Sequence, residues 1–166
     1  MRRDSLEDLP DPGLPEGFEL RTFRAGDEAG WATLMTGAIG DWDEDSTQRL
    51  FLGDPGINAE GVFFLVTARE YVATATDKRL PASDIGYLHM VTVARHYRGR
   101  RLGRCISLAA LRHMRMRGCR EAVLDTDDDR LPAIGTYLAL GFVPDVVEAD
   151  HPERWRRILA RVAARQ

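Results

Sequence analysis

The sequence predicts a mixed α/β (α+β) fold, a single central sheet flanked by helices with a helix at the C-terminal end. Three observations carry that expectation. Short runs rich in β-branched and aromatic residues alternate with helix-length amphipathic stretches. Turn chemistry separates most of these elements. The 166 residues match one domain with room for a hydrophobic core, and no repeat or second boundary interrupts them.

The elements follow in chain order. Residues 1–16 hold Pro10, Pro12, Gly13 and Pro15 among acidic residues and read as an extended, poorly ordered lead-in, leaving 17–166 as the folded domain. Residues 18–23 alternate apolar and polar, the pattern of a strand. Asp27 is placed to cap a short helix running to Gly37. A second helix over 46–52 is ended by Gly53, Pro55 and Gly56. Strands are expected at 62–67, 71–76 and 85–93. An Arg/Gly loop over 98–104 then feeds a long helix to about Arg117, with Gly118 as its left-handed cap. A short strand at 121–124, a helix at 131–140 and a last strand at 142–147 complete the sheet. In the terminal helix, which starts at His151-Pro152, Trp155, Ile158, Leu159 and Val162 form an apolar stripe.

Composition excludes several function classes. Lys+Arg and Asp+Glu number 23 and 26, so no global field draws the chain to nucleic acid or a membrane surface. No apolar run approaches the roughly 18 residues of a membrane span. Asp4, Glu7 and Asp8 stand where a signal peptide would be apolar, and a cytoplasmic location is expected. Cys105 and Cys119 are too few for a disulfide framework or a cysteine metal site. Asp125, Asp127, Asp128 and Asp129 have no interleaved His or Cys and suit helix N-capping better than a metal, so no metal is expected. The oligomeric state is open between monomer and homodimer.

The stretch from Val91 to Arg104 is the most informative. A strand runs into a loop with two glycines, and the loop runs directly into a long helix. The first turn of a helix offers unpaired N–H groups and the positive end of the macrodipole. Glycines let a phosphate come close to those amides, and Arg98, Arg100, Arg101 and Arg104 add cationic side chains. No GxxxxGK[ST] is present, and no GxGxxG follows a strand. The alternative is a tight strand-to-helix turn with solvated arginines.

Residues 98–103 resemble the pyrophosphate loop of the GNAT superfamily of acyl-CoA N-acyltransferases, Arg/Gln-x-x-Gly-x-Gly/Ala. Arg98 and Gly103 match its ends, and Arg101 replaces its middle glycine, where an αR backbone would still offer its N–H. A second motif, Ala133-Ile134-Gly135-Thr136-Tyr137-Leu138-Ala139-Leu140-Gly141-Phe142, resembles the family's Ala-x-x-x-Tyr-x-x-x-Gly-Phe signature. Arg130 stands where the family often has an asparagine. The resemblance covers residues 18–147 or so. It implies a splayed sheet in which strand 85–93 diverges from strand 121–124. The pantetheine arm of acetyl-CoA would lie in that gap against backbone near Val91 and Val93. It further implies Arg98, Gly99, Arg100, Arg101, Leu102, Gly103 and Arg104 as the pyrophosphate site, with Arg130 beside the cofactor.

Acetyl transfer to an amine needs a neutral amine, a polarised thioester carbonyl and a stabilised leaving thiolate. Tyr137 resembles the family's tyrosine that protonates the thiolate; the alternative is a packed helix tyrosine beside Phe142. Strand periodicity puts Tyr87, His89, Val91 and Val93 on one face. His89 resembles a strand histidine of arylalkylamine N-acetyltransferases and suits a general base; the alternative is a half-buried structural histidine, with water as base. Trp31, Trp42 and the acids Asp41, Asp43, Glu44 and Asp45 mark the side where an amine acceptor would enter. Two other classes compete: a non-catalytic acyl-CoA sensor, and an RNA-binding module using Arg95 and the loop arginines with Arg154, Arg156 and Arg157. Near-neutral charge and the lack of a stacking platform disfavour RNA.

Overall fold

The computed structural model describes residues 1–165. Its strands are β1 (Arg2–Arg3), β2 (Glu19–Thr22), β3 (Ile57–Val66), β4 (Tyr71–Arg79), β5 (Ile85–Val93) and β6 (Glu121–Val123). They form one sheet in the order β1–β6–β5–β4–β3–β2, antiparallel throughout except for the parallel β5–β6 pair. The helices are α1 (Glu28–Met35), α2 (Glu44–Ser46, continued by a π turn at Thr47–Phe51), α3 (Leu102–Met116), α4 (Leu131–Ala139) and α5 (His151–Ala163). A mixed sheet with helices on both faces is the architecture expected from the sequence.

Alternation along β3 sorts two cores. Val62, Phe64 and Val66 join Trp31, Met35 and Phe51 on the α1 face. Leu65 joins Ile106, Leu108, Leu111 and Met114 of α3 on the other. Burying side chains of this kind contributes about 1.5–3 kcal/mol each. Gly86 on β5 lets α3 sit close, since a Cβ there would lie 2.5 Å from Met114 Sδ. Asp77 of β4 is fully buried on the α3 face, held by Arg117 and by His113 Nδ1 at 2.7 Å. Gly118, at φ +90°, ends α3 as expected.

Three expectations need correction. Residues 1–9 are not a loose lead-in: Arg2 and Arg3 pair with Val123 and Ala122, and Met1, Leu6 and Leu9 are buried. The sequence hides this because two arginines carry no strand periodicity, yet Arg2 finds Glu121 and Arg3 finds the Leu140 carbonyl. The strand expected at 142–147 shrinks to one bridge, Val143 to Arg2. β1 occupies the edge of β6, and Pro144 offers no N–H to extend a ladder. The acids before α4 do not cap it. Its N-cap is Arg130, without a side-chain capping bond, and Asp128 pairs with Arg154 instead.

Asp27 stands at the N-cap of α1, but its carboxylate does other work. It accepts from Arg21 Nη1 at 2.5 Å and Nη2 at 2.9 Å, from Tyr71 Oη at 2.7 Å and from the Arg24 N–H at 2.7 Å. One buried side chain thus ties β2, β4 and the entry to α1. Burial pushes its pKa up, but the bonds from Arg21, Tyr71 and Arg24 outweigh that and hold it below the usual carboxylate value. Its stabilisation is therefore present above the unfolded-state pKa and is lost as pH falls through the lower folded value. Asp27→Asn is expected to cost about 1–3 kcal/mol at pH 7. It should also flatten the loss of stability below about pH 4, both read from urea unfolding across pH.

Candidate active site

β5 and β6 pair at only three positions, Ile85 with Glu121, Gly86 with Ala122 and Tyr87 with Val123. Beyond Tyr87, β5 runs on to Val93 with no strand partner on that side among the described residues. Backbone groups in such an edge need partners of some kind, and an extended ligand can supply them as an added strand.

The sheet is irregular at the same place. Thr74 pairs with Thr92 and Thr76 with His89, so three steps on β5 match two on β4. Met90 takes φ +50°, a bulge in a non-glycine residue. The bulge changes which residues share a face. Leu88 packs on the α3 core, and so do Val91 and Val93, whereas Met90 packs on the α1 core. His89 stands opposite Thr76 and beside Tyr87, their rings 5.2 Å apart. The expectation that His89 shares a face with Val91 and Val93 is therefore corrected: one extra residue resets the two-residue period.

After Val93, a 3₁₀ turn at Arg95–Tyr97 leads to the loop and then to the first turn of α3. Arg98 Nε donates to the Val93 carbonyl at 3.0 Å, which folds the loop back on the strand. Tyr97 is tied to Glu70 at 2.7 Å and carries the Arg100 guanidinium 5.2 Å above its ring. Leu102 is buried, so only its backbone faces the loop. Arg101 is not in the αR region expected of it. It is left-handed at φ +60°, the conformation a glycine would take without cost.

Gly103 has the backbone of a helix, and a Cβ there would meet only Val93 Cγ2, at 3.6 Å. Neither backbone strain nor protein packing demands a glycine. A bare surface at the N-terminus of a 15-residue helix, beside exposed Arg98 and Arg100, fits a phosphate lying on the amides. A groove of about 850 Å³ begins at the loop. Val93, Ala94, Arg98, Thr33, Ala38 and Tyr71 line it. Arg69, in the β3–β4 turn, also lines it; nothing in the sequence around it marked it out.

The downstream motif lands on α4. Tyr137 is buried, 6.1 Å from Phe142 in an edge arrangement, and its hydroxyl makes no hydrogen bond among the described residues. Burial pushes its pKa up to about 12, with the Arg130 charge opposing. Arg130 itself donates to the Ala38 carbonyl and pairs with Asp127 at 3.5 Å. It braces α4 against the loop after α1. Burial lowers the pKa of His89, as does Lys78, against smaller opposing effects of Asp54 and Asp125. Trp31 is buried between Phe51 and Trp42, so it belongs to the core and not to an acceptor wall. Arg154, Arg156 and Arg157 are paired with Asp128 and Glu153, which removes the second basic patch an RNA module would need.

A family model described as the acetyltransferase (GNAT) family matches residues 23–142, from just after β2 through α4. The chain belongs to the GNAT family. Mycothiol acetyltransferase of Streptomyces bingchenggensis is 34% identical over 141 residues, covering 81% of this chain and 46% of that protein. The chain spans about half the length of the curated relatives it matches. Among solved structures, the ribosomal-protein-S18-alanine N-acetyltransferase of Escherichia coli superposes with a TM-score of 0.63 at 19% identity, covering 78% of this chain and 79% of the other. The NatC complex bound to Gag peptide and CoA gives 0.65 at 19% identity, covering 78% and 86%. These structural likenesses establish the fold. No described helix is long and apolar enough to cross a membrane.

Arg101→Gly is expected to relieve the left-handed strain, worth about 1–2 kcal/mol. A rise of roughly 2–6 °C in melting temperature would register it; an unchanged melting temperature would mean that the loop relaxes at no cost.

Proposed function

We propose that this GNAT domain transfers the acetyl group of acetyl-CoA to a primary amine by direct attack. The observation that carries the reading is the fork itself: β5 is left unpaired beyond Tyr87, and its far end delivers the chain to a helix N-terminus with a bare Gly103. The residues fit the cofactor. Backbone along Val91 and Val93 would accept the pantetheine arm as a strand. The amides at Leu102, Gly103 and Arg104, with Arg98 and Arg100, would hold the pyrophosphate. Bound there, acetyl-CoA supplies an activated thioester.

The chain's own groups divide the remaining work. The irregular backbone at Met90 lies on the stretch of β5 left unpaired beside the fork, where a free N–H would polarise the thioester carbonyl. Tyr137 keeps its proton through the neutral range because burial raises its pKa to about 12, so it can donate to a departing thiolate. His89 is held neutral by burial and by Lys78, the form that takes a proton from an ammonium. Relatives named mycothiol acetyltransferase support acetyl transfer to an amine.

Gly103→Val should weaken acetyl-CoA binding at least tenfold by calorimetry while leaving urea stability within about 1 kcal/mol, because the added Cβ meets only Val93 Cγ2, at an ordinary contact distance of 3.6 Å. Retained affinity would place the pyrophosphate elsewhere. Tyr137→Phe should lower kcat by about 10²-fold with acetyl-CoA affinity preserved. An unchanged kcat would assign the leaving-group proton to solvent.

A further inference from the structure

The groove beside the Arg98 loop holds more positive charge than a pyrophosphate at Arg98 and Arg100 uses. Its charged lining residues are Arg69, Arg95 and Arg98, against a single acid, Glu70. That acid is already engaged. Its carboxylate accepts from Tyr97 Oη at 2.7 Å and lies 3.2 Å from His96 Nε2. Arg69 and Arg95 are both exposed, and among the described residues neither makes an ion pair or a side-chain hydrogen bond.

Backbone bonds bring these two arginines to one rim. The Thr67 N–H donates to the Glu70 carbonyl at 3.0 Å and closes the β3–β4 turn that carries Arg69. The Ala94 N–H donates to the Val72 carbonyl at 2.8 Å, which seats the start of the 3₁₀ turn, and Arg95 with it, against the head of β4. The bond from Tyr97 to Glu70 then clamps the two turns together. Arg69 adjoins the acid of that clamp and Arg95 adjoins its histidine. Ala29, Thr33 and Gly37 contribute only small side chains to the groove, so its volume stays open beside the rim. A planar guanidinium grips phosphate oxygens two at a time. Two of them in a concave surface, with no counter-charge of their own, favour an anion of more than one charge.

Acetyl-CoA carries such an anion. Its nucleotide bears a phosphate monoester on the ribose 3′ oxygen, with close to two charges near neutrality. Arg98 stands at the boundary of the two regions: it belongs to the loop, its Nε is held by the Val93 carbonyl, and it lines the groove. A nucleotide leaving the pyrophosphate amides past Arg98 enters the groove where Arg69 and Arg95 lie. We propose that Arg69 and Arg95 bind the 3′-phosphate and make this domain distinguish CoA thioesters from their 3′-dephospho counterparts. The inference rests on the acetyl-CoA reading for the pyrophosphate and adds a second phosphate site, supplied in part by the β3–β4 turn.

Calorimetric titration of the full chain with CoA and with 3′-dephospho-CoA reads this site apart from the pyrophosphate. CoA should bind more tightly by about tenfold or more. Arg69→Ala and Arg95→Ala, at exposed side chains without partners, should each weaken CoA by about fivefold and leave dephospho-CoA within about twofold. The double variant should lose the preference. Arg98→Ala should weaken both ligands alike and keep it. Equal affinities in the unaltered chain, or a preference that survives the double variant, would overturn the proposal and leave the acetyl-CoA reading standing. An equal loss for both ligands in Arg69→Ala and Arg95→Ala would also overturn it, by putting those arginines on the pyrophosphate. If neither nucleotide binds, the acetyl-CoA reading falls and the 3′-phosphate site falls with it.

Discussion

Two neighbouring strands that hydrogen-bond for three residues and then part set the terms for the rest of this molecule. A parallel pair inside a sheet would ordinarily continue its ladder, and leaving backbone unpaired is costly unless something else satisfies it. Here β5 stays paired with β4 on both sides of the bulge, from Gly86 to Val93, and gives up its pairing with β6 beyond Tyr87. The α3 core holds β5 from one face, through Leu88, Val91 and Val93. Because β5 is anchored on its other edge, the gap is a fixed feature of the fold and can be shaped for a ligand.

The bulge at Met90 and the left-handed Arg101 are both residues in conformations that side chains disfavour, and both lie along the same path. Strain of this kind persists only where the surroundings over-determine it. Around Met90 that role falls to the buried β4 threonines and the α1 core. Around Arg101 it falls to the Arg98 bond to Val93 and the packed first turn of α3. The titratable groups are arranged to a matching end. Burial raises the pKa of Tyr137 to about 12 and lowers that of His89, so the two differ in proton affinity in the direction the proposed acid and base roles need.

Much of this was legible in the sequence, for identifiable reasons. The strand at 85–93 carries strong β-branched and aromatic character, and its bounds agree with those observed. The Arg/Gly loop and the long helix after it are a local matter of backbone chemistry, and they lie where the pattern put them. What escaped was non-local. The bulge is set by how β5 registers against β4, and no periodicity within nine residues reveals an extra one, so His89 was assigned to the wrong face. Arg2 and Arg3 became a strand because Glu121 and the Leu140 carbonyl await them more than a hundred residues away. Asp128 was read as a helix cap and instead pairs with Arg154, 26 residues away.

That long reach of β1 bears on how the chain acquires its shape. Arg2 contacts both Val123 and Val143, so one edge of the sheet is assembled from the two ends of the domain. During synthesis Arg2 stays without its Val143 partner until more than 140 further residues have been added. Loops this long close at a modest entropic cost but late in folding. Until then β6 has an open flank and Leu6 and Leu9 lie in water. β6, one wall of the fork, is therefore covered on its outer edge only once the two ends of the domain have met, and a chain without residues 1–9 would leave that edge open.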